Sequence, residues 1–129
     1  MLVGASIAIV IIVGSSGKLC AAPATKPTVS FSEDVLPLLK WKCSGCHAPG
    51  GPGYEKSGVD LTSYAGVMKG TKFGPVVVAS DPRNSNLLVV LDWPEHLSPD
   101  LRMPHEGRKL SSCDRDVIRK WIVEGAQNN

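Results

Sequence analysis

The chain has 129 residues, 43% apolar and 20% charged, with 14 Lys plus Arg against 12 Asp plus Glu for a net charge of +2. That length sets a prior of one domain. The balance excludes a disordered tail, a collagen-like repeat, a polytopic membrane protein and the basic stripe of a nucleic-acid binder. Gly (13) and Pro (10) are plentiful and aromatic residues only 5%, so loops should surround a modest core, one that would gain from a large apolar body not built of amino acids.

Leu2 to Val13 is an almost unbroken apolar run, followed by Gly14-Ser15-Ser16-Gly17 and small residues at Ala21 and Ala22. A run this short matches the central region of a signal peptide and falls short of the about 20 residues of a membrane span. Residues 1–22 therefore read as a signal peptide or N-terminal anchor, with cleavage after Ala22 or Ala24. No Lys or Arg precedes the run, and Lys18 follows it, which keeps an uncleaved anchor open. Gly17-Lys18-Leu19 is a poor lipidation signal for Cys20. Removal of residues 1–22 would leave Cys43, Cys46 and Cys113, an odd set that a pure disulfide scaffold does not explain. Export to the periplasm is expected, with membrane contact only through an uncleaved or lipidated N-terminus.

Residues 23–29 read as a Pro-rich linker, 30–126 as the domain and 127–129 as a C-terminal tail. Ser30-Phe31-Ser32-Glu33 has the spacing of a capping box; Val35, Leu36, Leu38 and Leu39 then supply the apolar positions of a helix to about Lys42, with Pro37 tolerated early in it. Ala48 to Gly53 is so rich in Gly and Pro that a loop is expected. Ser63 to Lys69 reads as a short helix ended by Gly70, and Pro75 to Val78 as extended. Ser85 is positioned to cap a second short helix through Leu91, and Trp93 to Arg108 reads as irregular. Ser111-x-x-Asp114 caps the clearest helix, with Val117, Ile118, Trp121 and Ile122 on one face, Arg115, Asp116, Arg119 and Lys120 on the other, and Gly125 at its end. No strand alternation, internal repeat or phosphate-binding Gly loop is present. Long loops in so small a domain need something to organise them.

Cys43-Ser44-Gly45-Cys46-His47 is the C-x-x-C-H attachment signature of a c-type haem. Two thiols three positions apart suit the two vinyl groups of one porphyrin, and the next residue offers its imidazole to the iron as proximal ligand. Small residues at Ser44 and Gly45 let the backbone approach the macrocycle. A structural zinc site would need four ligands, and His96, His105 and Cys113 could add to the single Cys pair only at irregular spacing. A thioredoxin-like dithiol would need a preceding strand, and a plain disulfide would leave His47 without a role.

For the sixth position Met68, Met103, His96, His105 and Cys113 are candidates. Met103 is the best placed: it lies in the irregular segment Leu101-Arg-Met-Pro-His105, and Pro104 biases it towards an extended conformation. His105 is the alternative distal ligand. Met68 reads as a core gap-filler on its short helix, and Cys113 as a buried inert thiol.

From Val29 to Ala126 the chain resembles the class I cytochrome c family, in the small monohaem form of bacterial exported proteins. The resemblance rests on Phe31-x-x-Asp34-Val-Leu-Pro-Leu-Leu leading into Cys43-Ser-Gly-Cys-His47, on Arg102-Met-Pro104, on Leu110-Ser-Ser, and on Ile118-Arg-Lys-Trp-Ile-Val-Glu-Gly125. Gly53 to Asp100 departs from it, carrying little that aligns. The resemblance implies an all-α, cytochrome c-like fold in which the N- and C-terminal helices cross. One covalent haem c would lie between them and the loops, with His47 below and Met103 above.

Two protein ligands on one iron would leave no open position for substrate. The expected role is therefore one-electron transfer between redox partner proteins rather than enzyme catalysis. A haem enzyme or gas-sensing domain with a labile sixth ligand is the alternative, as is an electron-transfer subunit of a larger redox complex. Lys40, Lys42, Arg102, Arg108 and Lys109 flank the two ligand segments. They would either steer an acidic partner or simply face water.

Overall fold

The structure, a computed structural model, describes residues 28–129. The expected leader and its cleavage sites lie outside the described residues, as does most of the linker. Within them the fold is all-α: helices alternate with loops, no strand forms, and a single isolated bridge joins Thr71 to Gly74. None of these helices is long and apolar enough to cross a membrane.

The first element opens as a π-helical turn, Phe31–Val35, and continues as α1, Leu36–Lys42. Ser30 caps it as its spacing predicts, its hydroxyl accepting from the Glu33 N–H. The reciprocal half of the box differs. The Ser30 N–H is taken by Asp34 at 2.8 Å rather than by Glu33, because the wider turn carries the chain one residue further before it faces the cap. Val35 N–H accordingly reaches back five residues to the Ser30 carbonyl. Pro37 sits at the start of α1, where the π-helical turn passes into the α-helix.

Two short helices follow α1: α2, Ser44–His47, and α3, Pro52–Ser57. The second corrects the expectation of a loop through Gly53. Proline's fixed φ suits the first helical position, and Gly58, at φ 79°, ends the helix by donating its N–H to the Tyr54 carbonyl. Next comes α4, Tyr64–Lys69, capped by Ser63 and ended by Gly70 at φ 77°. Asn86–Asp92 forms α5. Ser85 stands at its N-cap, but its buried hydroxyl is spent elsewhere, accepting from Val78 N–H at 2.9 Å and donating to the Asp81 carbonyl at 2.8 Å. It ties down a loop instead of capping a helix. A 3₁₀ turn, Pro99–Leu101, interrupts the segment expected to be wholly irregular.

The last helix, α6, is Ser112–Val123, with Ser111 accepting from Asp114 N–H at its start. Its Ile118, Trp121 and Ile122 are buried in one hydrophobic cluster with Phe31, Val35 and Leu39 of the first element and Leu88 and Leu91 of α5. The Trp121 ring lies 5.2 Å from Phe31, and Tyr64 meets Phe31 edge-on at 5.2 Å. Such aromatic pairs add about 0.5–1.5 kcal/mol each beyond the area they bury. The terminal helices therefore pack together through aromatic side chains, as the apolar face of α6 predicts. Arg115 and Arg119 do not simply face water: both reach the Asp92 carboxylate at the end of α5.

The chain's two described ends are also bonded together. Asn129 accepts from Phe31 N–H through its side chain and from Ser32 N–H through its carbonyl, and Glu124 accepts from Val29 N–H. The 127–129 segment thus fastens onto the first turn.

Candidate functional site

Helix α1 stops at Cys43, whose backbone (φ −126°, ψ −33°) leaves the helical region, and α2 restarts one residue later. The break turns the pentapeptide into a separate corner. Cys46 and His47 both donate their N–H groups to the Cys43 carbonyl, and the His47 carbonyl accepts from Leu61 N–H at 2.8 Å. Cys43 is half-buried against the hydrophobic core, Cys46 is exposed, and both are free thiols.

Burial pushes the Cys43 thiol up to about 11, with nearby Cys46 adding to the rise and Lys42 opposing it. A redox-active dithiol needs the opposite, a stabilised thiolate. No group of three or more His, Cys, Asp or Glu among the described residues is placed to hold a metal ion by itself, so the zinc arrangement that His96, His105 and Cys113 would have completed does not form. Cys113 is disulfide-bonded. That corrects its reading as an inert thiol and removes it as an iron ligand, because its sulfur is already committed.

His47 is half-buried, and desolvation lowers its pKa below the ordinary 6.5. It is therefore a neutral imidazole at pH 7, the form that ligates a metal. The Gly-rich loop after it has a use that composition alone did not reveal. A Cβ on Gly51 would come 2.5 Å from the Cys46 carbonyl oxygen, and one on Gly53 would come 2.7 Å from Cε1 of the His47 ring. Only a chain without side chains at these two points can wrap the pentapeptide so closely.

The other candidate ligand is Met103, two residues after the 3₁₀ turn. Met103 is half-buried and packs against the same hydrophobic cluster as Cys43, as does Met68. Its N–H donates to the Val90 carbonyl at 2.8 Å, its carbonyl accepts from Trp93 Nε1 at 2.8 Å, and its bond to Pro104 is cis. His105 and His96 are both exposed. Of the flanking cations, Lys40, Lys42, Arg108 and Lys109 are exposed, and Lys42 lies over the Trp41 ring at 3.6 Å. Arg102 and Lys109 are drawn towards the Trp93 ring, and Lys109 also donates to the Asp92 carbonyl.

Two buried side-chain polar atoms among the described residues have no hydrogen-bond partner: His47 Nδ1 and Arg102 Nε. Buried polar atoms are almost always paired. These two belong to the candidate proximal ligand and to the residue next to the candidate distal one. The donor set of two free thiols, a neutral imidazole and a core-packed thioether therefore fits a covalent haem, and the unpartnered atoms mark where protein contacts alone leave the structure incomplete.

An all-α frame with C-x-x-C-H on a corner next to its first helix defines a c-type cytochrome domain. The chain belongs to the family described as Planctomycete cytochrome C, whose model matches residues 43–107. Membership implies covalently bound haem c and haem-based electron transfer. No curated protein and no solved structure matches the chain.

Proposed function

We propose that the protein is an exported, periplasmic one-electron carrier of the class I type, holding a single haem c through Cys43 and Cys46 with His47 as proximal and Met103 as distal ligand. The observation that carries this reading is the corner itself: two free thiols followed directly by a neutral imidazole with a buried, unpartnered nitrogen. Met103 is favoured over His105 because it packs against the core while His105 points to water. When bound, haem supplies Fe(II)/Fe(III) one-electron chemistry. The chain's own task would be to hold the His47 and Met103 side chains in place while that chemistry occurs. His47 is held by its carbonyl bond to Leu61, with no room for a side chain at Gly53 beside its ring, and Met103 by its two backbone bonds.

Among the cations that flank the two ligand segments, Lys40 and Arg108 are free of ring contacts and best able to meet an acidic redox partner, since Lys42 lies over the Trp41 ring and Arg102 and Lys109 approach Trp93. Positive charge near an exposed edge accelerates encounter and does so less as salt rises.

The test is the intact mass and spectrum of the exported protein. We expect the polypeptide plus one haem, a low-spin spectrum, and a weak far-red methionine-to-iron band in the ferric form that Met103→Ala abolishes and His105→Ala leaves intact. A mass without haem overturns the cofactor assignment. Rapid CO binding by the ferrous form at neutral pH overturns the two-ligand carrier in favour of an open-site haem protein.

A further inference from the structure

Trp93 terminates α5 in the left-handed region, at φ 51° and ψ 56°. Glycine is the usual residue there, and a bulky side chain in that conformation persists only where its surroundings hold it. Here they do. Asp92, one residue earlier, is gripped by Arg115 and Arg119 of α6, and its carbonyl accepts from Lys109. The Arg102 and Lys109 cations lie 5.8 and 5.9 Å from the Trp93 ring. The strained corner aims the indole so that Nε1 donates to the Met103 carbonyl at 2.8 Å. Val90, three residues before Trp93 on the same helix, accepts the Met103 N–H. Both backbone groups of Met103 are thus bonded to the end of α5, which is itself pinned to the C-terminal helix, and the thioether is left uncommitted.

We propose that Trp93 is a positioning residue for the distal ligand: its indole N–H, aimed from the α5 corner that Asp92 anchors to α6, holds the Met103 backbone and thereby sets how readily the thioether leaves the iron. The proposal rests on Met103 being the distal ligand. A ligand held only by its sulfur–iron bond would exchange easily, whereas one whose backbone is clamped must break the clamp or strain against it. The alternative is a hydrogen bond that merely satisfies a half-buried indole, which would affect folding and leave ligand exchange alone.

The experiment uses the ferric holoprotein and imidazole as an external ligand competing for the sixth position. Trp93→Phe keeps the ring and removes the N–H. It should raise imidazole affinity about five-fold, the factor one net hydrogen bond of ordinary strength carries, and weaken the far-red band. Trp121→Phe is the control, since Trp121 also uses its indole on a carbonyl, that of Gln127 at 2.9 Å. It should lower stability without moving imidazole affinity.

Equal imidazole affinity in Trp93→Phe and wild type, with the band present in both, overturns the positioning role and leaves the ligand assignment standing. A wild type without the band removes the distal ligand and this proposal with it. If Trp93→Phe does not yield folded protein, hydrogen exchange of the wild-type indole decides. The Trp93 indole proton should be protected relative to that of exposed Trp41, and equal exchange overturns the proposal.

Discussion

Truncating Trp121 tests the packing that joins the terminal helices. The side chain is 1% exposed, meets Phe31 at a tilt, approaches Tyr64 edge-on and donates its indole proton to the Gln127 carbonyl. Trp121→Ala removes about 200 Å² of buried apolar surface. At about 25 cal/mol per Å² that is about 5 kcal/mol, an upper bound because the unfolded chain already hides part of this area. Large-to-small aromatic truncations cost about 3–5 kcal/mol, and we expect a loss in that range. Against a typical total stability of about 5–15 kcal/mol, it would leave the terminal helices barely docked. Trp121→Phe keeps most of the ring and should cost about 1–2 kcal/mol, chiefly the indole hydrogen bond. Urea unfolding of the ferric holoprotein, followed by both haem absorbance and far-ultraviolet circular dichroism, gives the midpoint at constant slope. A loss below about 1 kcal/mol for Trp121→Ala would mean that this aromatic contact does not hold the terminal helices together.

The Asp92 carboxylate gives a pH signature. Partial burial raises its pKa, but hydrogen bonds and charge from Arg115 and Arg119 outweigh that and leave it below the ordinary 3.8. Its stabilising contribution is therefore complete above pH 3.8 and lost as the pH falls through the lower folded value. Asp92→Asn should cost about 1–2 kcal/mol at neutral pH and flatten that part of the acid-unfolding curve; a curve parallel to wild type refutes the clamp. Gly53→Ala drives a methyl into the His47 ring, so it should cost the holoprotein about 1–3 kcal/mol and alter its ferric spectrum. An unchanged spectrum and midpoint would show that the ring does not need this approach. Ser85→Ala strips a fully buried hydroxyl from Val78 N–H and should destabilise by about 1–3 kcal/mol, read from the same urea midpoints.

Features written in neighbouring residues were legible in the sequence. Helix α6 carries its cap, its apolar face and its stop within fifteen positions of chain, Ser111 to Gly125, and C-x-x-C-H declares its chemistry in five. The start of α3 was hidden because Pro52 and Gly53 look like loop residues, although proline at a first helical position is favourable. What escaped entirely depends on separation. Asp92 meets Arg115 and Arg119 across 23 and 27 residues, and Trp93 meets the Met103 carbonyl across ten. No local pattern encodes either pairing, and a tryptophan before Pro94 gives no sign of a left-handed corner. The glycines at 51 and 53 were visible, but their purpose was not, because it lies in the distance to a cysteine carbonyl and an imidazole ring.

The clasp between Asn129 and the first turn bears on the order in which the protein matures. Phe31 and Ser32 complete their backbone pairing only when Asn129, 98 and 97 positions further along, has docked beside them. Closing so long a stretch of chain costs entropy that an already gathered core must offset. The turn that opens the first helix is therefore fastened late in folding, after α6 has found its place.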